Sequence, residues 1–584
     1  MRIVSWLSAG LAVALLGGCA TVPTSGLVRS GNSSNESTSP GGIGVLADPP
    51  KPGASPAAVV SGFMEAMSNL DSLNVAREYL TPEASGAWDV SQTRIYDPRA
   101  GSGVVLPVNA STDRFKLTAP LVATLDERSA WRPAPPGEQL TFTFVVVKNA
   151  AGEWRISTPP PGVFLDKNLS ETNYDPYNLY FLNPTNDLLV PDPIYLPISR
   201  SQAQLAHLLI KSLLRGPTSR LGDSVLSAAP PNTQLVRNVT ITDGAANVDL
   251  DDAVKNVGPL ERNQLAAQIA WTLRQVVSAV RITVQGAPLQ EGNDDERMFE
   301  NFSTYDPSVP AANLTQLFVL RQGKINRFNG LDGSGEITLE PLGQASLLSP
   351  FFATSFAISL KSELGAIVTG GKVIVARLSK EEGEKETRLQ ASGEVTRPTF
   401  DWAGNLWFVD HADDDPQVWM MDKDRKQIRV QADFNGYDVE ALRIAPDGVR
   451  VLAVVRKDGK SALWIGRVKI GENNRRSLTG FYSLQVPLDD LVDAAWSKAE
   501  RVTVVGSKGE ALSQALEVNV DGSLPGPVAG VSTHAVHAVA ATPNVESLLV
   551  LQVDDGRLQR RSRDLQWDDP LDDNVKNVYP VYPG

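Results

Sequence analysis

Cysteine is almost missing from this chain: there is one in 584 residues, Cys19. An intrachain disulfide is therefore impossible, and the folded body must be stable without cross-links. Histidine is nearly as scarce, with four residues, His207, His411, His534 and His537. His207 falls inside an apolar helical stretch as a boundary residue. His411 falls in an acidic loop. His534 and His537 stand three apart in one expected strand, which points them to opposite faces. A zinc site is not expected from such a set. Long apolar runs are missing too. After residue 16 no stretch approaches the roughly 20 residues that cross a bilayer as a helix. Positive charge is in deficit, with 54 Lys+Arg against 67 Asp+Glu and a formal net charge of −13. That balance argues against nucleic acid as a partner and against a broad electrostatic contact with anionic lipid. No G-x-S-x-G elbow occurs. Gly459-Lys460-Ser461 resembles the tail of a phosphate-binding loop, but Val454 stands where that loop needs glycine. The segment also reads as a turn between strands rather than a strand feeding a helix. The sequence thus indicates no catalytic residue, no metal ligand set and no cofactor.

What is present begins at the amino end. Met1 and Arg2 precede fourteen mostly apolar residues, Ile3 to Leu16. A cationic start and a short apolar run have the form of a secretory signal. The run closes on Leu16-Gly17-Gly18-Cys19, which resembles a bacterial lipobox. In such a box Leu16, Gly17 and Gly18 form the cleavage motif. Cys19 takes an S-diacylglycerol and, as the new amino terminus, an N-palmitoyl chain. Two or more acyl chains anchor a protein stably where one holds it only marginally. The rival reading is a plain signal peptide with an accidental cysteine. Residues 1–18 are therefore expected to be a lipoprotein signal peptide, and the mature chain to sit on the extracytoplasmic face of the cell membrane, held by lipid. Residues 19–54, with "SGNSSNESTSPGGIG", are too poor in apolar side chains to order themselves and read as a flexible tether.

Residues 55–171 read as an α+β domain. Val60, Phe63, Met67 and Leu70 recur at helical spacing, and strand-like runs such as "EQLTFTFVVVKNA" follow. Helices feeding a curved antiparallel sheet resemble the NTF2-like fold. A ligand-holding cone and a plain spacer are both open readings of it.

Residues 172–292 carry sharper signals. "SQAQLAHLLIKSLLRGP" is a helix with a capping box at Ser201 and Gln204, an apolar stripe of Leu205, Leu208, Leu209 and Leu213, and a Gly216-Pro217 stop. "NVTITDGAANVDLDDA" reads as a hairpin turning at Asp243-Gly244. "ERNQLAAQIAWTLRQV" puts Leu265, Ile269, Leu273 and Val276 on one face, and "AVRITVQG" closes as a strand. The ordered set "LYFL…LVP…LLRGP…VDLDDA…QIAWTL…VRITVQG" resembles the GerMN domain. That resemblance implies a binding or interaction module with no established catalytic residues.

Residues 293–584 change period. "TFDWAGNLWFV", "RIAPDGVRVLAVV", "AWSKAERVTVVGS" and "ATPNVESLLVLQV" repeat strand, turn and stronger strand. Phe400, Ile444, Trp496 and Ala541 mark equivalent points spaced 44, 52 and 45 apart, and Ile358 lies 42 upstream of Phe400. Such a period with strand–turn–strand patterning predicts a β-propeller, here of five or six blades, over a β-sandwich with accidental spacing. Asp413 to Asp415, Asp568 with Asp569 and Asp572 with Asp573, and the Asp433-Asn435-Asp438 turn are acidic enough to consider for a metal. The last resembles a calcium loop but lacks its length and closing bidentate Glu, and solvated turns account for all of them. Trp402, Trp407 and Trp419 read as blade-packing residues before a sugar platform.

In this order the lipobox, α+β domain, GerMN domain and degenerate propeller resemble the LpqB lipoproteins of actinobacteria. The resemblance implies a non-enzymatic accessory to a sensor histidine kinase, of the MtrA–MtrB two-component type, acting in cell-envelope homeostasis and division. The partner it implies is the kinase's extracytoplasmic domain. The alternative is a lipoprotein that binds cell-wall glycan or a small ligand through the cone or the propeller channel.

Overall fold

The computed structural model describes residues 47–68, 73–98, 106–108, 113–198, 200–289, 297–308, 315–330, 338–342, 346–379, 385–412, 415–510, 513–523, 535–542, 549–561, 567–568 and 576–584. The proposed signal peptide, Cys19 and most of the tether lie outside them. The tether's last residues do not behave as tether. Ala47 is buried in the first domain's core, and Tyr79 donates its hydroxyl to Asp48 O at 2.8 Å. The packed body thus starts at least eight residues before Ser55.

In the first domain the helix Pro56–Ser68 buries Val59, Val60, Phe63, Ala66 and Met67. Leu70, the last member of the predicted stripe, is outside the described residues. The helix packs on a sheet ordered Trp154–Thr158, Gln139–Lys148, Arg114–Leu125, Thr93–Tyr96 and Val163–Asp166. Phe63 meets Trp88 and Phe144 at ring separations of 5.2 and 6.2 Å, a contact worth more than its buried area alone. The sheet is mixed rather than purely antiparallel, because Thr93–Tyr96 runs parallel to Val163–Asp166. Joining those two strands in parallel requires a long crossover, and the intervening strands supply it.

The second domain opens with a nine-pair hairpin of Tyr174–Leu182 and Leu189–Pro197. The helix Gln202–Leu214 starts on the Ser201–Gln204 capping box and ends where Gly216 takes φ +84°. Its buried face is Leu205, Ala206, Leu209, Ile210 and Leu213. Asp243 and Gly244, at φ +53° and +79°, turn Thr240–Thr242 into Ala245–Leu250. That strand then pairs in parallel with Ala279–Val284, the helix Pro259–Leu273 making the crossover. This helix is buried on every side from Gln264 to Leu273, where one apolar stripe was predicted. Its polar positions are satisfied. Gln268 Nε2 donates to Tyr180 O at 2.8 Å, and Gln268 Oε1 accepts from Ala228 N at 2.7 Å. The domain extends past residue 292. Arg297–Met298 pairs with Ala279–Val284, and Phe302 and Tyr305 join its core.

The remaining strands form a propeller. Ser355–Ile358, Leu364–Thr369, Lys372–Arg377 and Thr387–Gln390 make one antiparallel sheet in chain order. Further along, Asp438–Ile444, Arg450–Lys457, Lys460–Ile470 and Arg476–Leu484 repeat the plan. A short parallel pairing of Gln431 with Ser477 ties that sheet to the one before it. The carboxyl-terminal strand Val578–Val581 pairs antiparallel with Leu317–Arg321, so the last strand completes the first sheet. Closure of this kind removes a free sheet edge.

Candidate functional site

Leu16, Gly17, Gly18 and Cys19 lie outside the described residues, as do His534, Asp413, Asp414, Asp569, Asp572 and Asp573. His411 is not in a loop. It sits on the strand Leu406–Ala412, with Nδ1 3.0 Å from Glu394 O and Nε2 3.0 Å from both Val439 O and Asp438 Oδ1. It ties neighbouring strands together. His537 Nε2 is 3.5 Å from Asp554 on an open surface. Among the described residues no group of three or more His, Cys, Asp and Glu is placed to hold a metal. Asp458 and Gly459, at φ +51° and +74°, form the tight turn between Arg450–Lys457 and Lys460–Ile470, so no helix follows Lys460. Asp433 Oδ1 accepts from Asn435 N at 2.8 Å, a local turn bond.

The three tryptophans divide. Trp407 is fully buried and donates to Asp401 Oδ2 at 2.9 Å, and Trp419 packs partly buried against a propeller cluster. Trp402 instead donates to Asp187 Oδ2 of the GerMN-like domain at 2.9 Å. Trp496, which the sequence marked only as a repeat position, lines a cavity among the propeller sheets.

Two polar constellations stand out. The first lies where the repeat markers converge. Pro398, Ile444, Trp496, Ala541 and Tyr582 line one cavity of about 50 Å³ on the propeller channel. Ile444, Trp496 and Ala541 are three of the equivalent points picked out by spacing. Strands in this ring carry bulges, between Val439 and Ala441 and between Leu491 and Asp493, and a bulge re-aims the side chains beside it. Asp493 is buried there. Its Oδ1 accepts from Arg443 Nη2 at 3.0 Å and Ala494 N at 2.9 Å, and its Oδ2 accepts from Val539 N at 3.2 Å. Arg397 Nη1 is 3.6 Å from the same Oδ2 and donates to Tyr579 Oη at 2.9 Å. Arg443 is 7% exposed. Its Nη1 donates to Leu442 O at 2.8 Å, while its Nε has no partner. Burial, and then the charge of Arg397, push the Arg443 guanidinium down to about 10, so it stays protonated at neutral pH. Burial pushes the Tyr579 hydroxyl up, so it stays neutral. Two guanidinium groups therefore share one carboxylate.

The second constellation is the junction of the three domains. Tyr195 of the GerMN-like domain donates its hydroxyl to Asp521 Oδ2 at 2.9 Å and lies 2.7 Å from Ser523 Oγ, both on the propeller side. Its ring packs 5.2 Å from Trp131 of the first domain. Arg220 donates to Trp131 O and to Asp521 O, and its guanidinium stands 4.5 Å over the Tyr482 ring. Arg467 Nη1 returns from the propeller to Ser219 O at 2.7 Å. A cleft of about 570 Å³ opens beside them, lined by Arg132, Arg220, Arg467, Tyr482 and Gln485 among others. Neither constellation was named from sequence. Their residues come from separate segments, Tyr195 and Ser523 alone standing 328 positions apart, and no local pattern joins them.

Known proteins resemble the chain in this same order. Residues 49–171 match the family model "Lipoprotein LpqB, N-terminal domain", residues 178–290 match "Sporulation and spore germination", and residues 337–583 match "Lipoprotein LpqB beta-propeller domain". Lipoprotein LpqB of Streptomyces coelicolor is 29% identical over 100% of this chain and 98% of its own length. Lipoprotein LpqB of Thermobifida fusca is 28% identical over 100% and 99%. Among solved structures, the tandem GerMN domains of GerM from Bacillus subtilis are 19% identical over 22% of this chain and 45% of that one, with a TM-score of 0.18. Two LpqB-specific domain models flank a GerMN model, and full-length LpqB relatives align along the whole chain, so the protein belongs to the LpqB lipoprotein family.

Proposed function

We propose that this protein is a lipid-anchored extracytoplasmic accessory to a sensor histidine kinase of the MtrA–MtrB type, acting without catalysis in cell-envelope homeostasis and division. The observation that carries the reading is the end-to-end likeness to proteins named as lipoproteins, together with Leu16-Gly17-Gly18-Cys19 in lipobox order. Lipid on Cys19 would confine the chain and a membrane-bound kinase to one surface, which raises their effective concentration and lets a weak contact suffice. The contact shifts the kinase only if the two signalling states bind this protein differently. The junction built on Tyr195, Arg220 and Asp521 supports a body that moves as one piece, so that contact at one domain is felt at the others.

The test has two parts. Cells fed labelled palmitate should label the wild-type protein and not Cys19→Ser. The purified chain should co-purify with the kinase's extracytoplasmic domain and alter autophosphorylation of the full kinase in vesicles. A wild-type chain without label sinks the anchor. A chain that neither binds nor alters the kinase sinks the accessory role.

A further inference from the structure

The channel cluster carries a charge imbalance among the described residues. Arg397, Arg443 and Asp493 sum to one surplus positive charge, and no other acid is within ion-pair reach of either arginine among the described residues. The neighbouring Arg450 is already matched by Asp447. A buried surplus charge is costly unless something pairs with it. Arg443 Nε, inside a side chain nine-tenths buried, has no hydrogen-bond partner. Tyr582 on the same cavity wall also holds a buried hydroxyl without one. Unsatisfied buried donors beside a cavity point to an acceptor that completes them.

The cavity restricts what that acceptor can be. About 50 Å³ is room for a few water-sized groups, enough for a carboxylate head. Pro398, Ile444, Ala540, Val581 and the Trp496 ring surround it, an apolar wall that favours hydrocarbon over hydroxyls next to the charge. A single surplus charge matches a monoanion and leaves a phosphate dianion half unpaired. We propose that the propeller channel of this protein binds one carboxylate group borne on a small apolar body, with Arg443 and Arg397 as its ligands. Such a group occurs on a free short-chain acid and at a peptide's carboxyl end. The inference stands apart from the kinase reading, because its test contains no kinase.

The experiment is calorimetric titration of the full chain in detergent micelles with butyrate, N-acetyl-L-alanine, N-acetyl-L-alaninamide and inorganic phosphate. Either acid should saturate with a dissociation constant on the order of 1 mM, and the neutral amide should not bind. The tighter of the two acids tells a free acid from a peptide terminus. Arg443→Gln leaves a neutral Arg397–Asp493 pair and should weaken acid binding about tenfold or more. Asp493→Asn leaves two unmatched guanidinium groups and should bind the acid at least as tightly as wild type. A cooperative melting transition above the titration temperature in each variant confirms folding, and if one variant is unfolded the other still decides. Saturation by the amide, preference for phosphate, no saturation by either acid, or equal affinities in wild type and Arg443→Gln each overturn the proposal.

Discussion

At the scale of single residues, what a side chain does here depends on which donors reach it. Asp249 shows this. In "VDLDDA" Asp249 stands between the apolar Val248 and Leu250, and it is 5% exposed. Burial by itself would raise its pKa. The Gly286 N–H at 2.8 Å, the Thr283 hydroxyl at 2.8 Å and Arg237 outweigh that and hold the carboxyl below its usual range. The Arg237 side chain is 65% exposed, so the two neutral donors contribute more than the ion pair. A depressed folded pKa stabilises the protein above the unfolded value near ~3.9, and that stability is lost as pH falls through the lower folded value. Asp249→Asn should therefore cost about 1–3 kcal/mol at neutral pH. Denaturant melts of both proteins should converge below about pH 4, and a gap that persists in acid would refute the account. His411 was misread for a related reason. An acidic neighbourhood in sequence suggested a loop, but strand pairing with Glu394 and Asp415–Met421 claimed its backbone.

At the scale of elements, the sequence was most legible where a terminus has its own chemistry. The helix Gln202–Leu214 begins and ends where Ser201, Gln204 and Gly216 dictate, because capping satisfies orphan backbone groups locally. Ser201→Ala should cost about 1 kcal/mol. Amide exchange should speed up in the first helical turn and stay slow at Leu209 and Leu213; uniform acceleration would mean the cap is not what holds that turn. The Asp243-Gly244 turn was legible for the same reason, since both residues accept left-handed φ. The helix Pro259–Leu273 was half legible. Leu265, Ile269 and Leu273 are buried as the period requires, but Gln264, Gln268 and Thr272 are buried as well. A polar position enters a core only if a partner waits there, and Tyr180 and Ala228 come from other segments. Element boundaries failed likewise. Ala47 and Phe302 belong to cores that their composition did not announce.

At the scale of the whole molecule, Tyr195, Arg220 and Asp521 join the three domains at one junction. Tyr195→Phe combined with Arg220→Met removes the hydroxyl bonds to Asp521 and Ser523 and the guanidinium bonds to Trp131 O and Asp521 O. The pair should weaken the junction by about 2–5 kcal/mol. In scanning calorimetry the melting transition should broaden or split, while far-ultraviolet circular dichroism at room temperature stays as in wild type; an unchanged single transition would show that the domains are coupled elsewhere. The sequence alone determined the strand and helix periods, the caps, the tight turns and the repeat that makes a propeller. Apart from the repeat, which is read from recurrence along the chain, each of these depends on residues within a few positions of one another, where sterics, capping and alternation act without help from the rest of the chain. Only the tertiary structure decided that Val578–Val581 pairs with Leu317–Arg321, and that Arg397, Arg443, Asp493 and Tyr579 meet in one cluster. Such meetings are set by the summed geometry of many packed strands. Burial and charge then give those side chains a meaning that no short stretch of sequence contains.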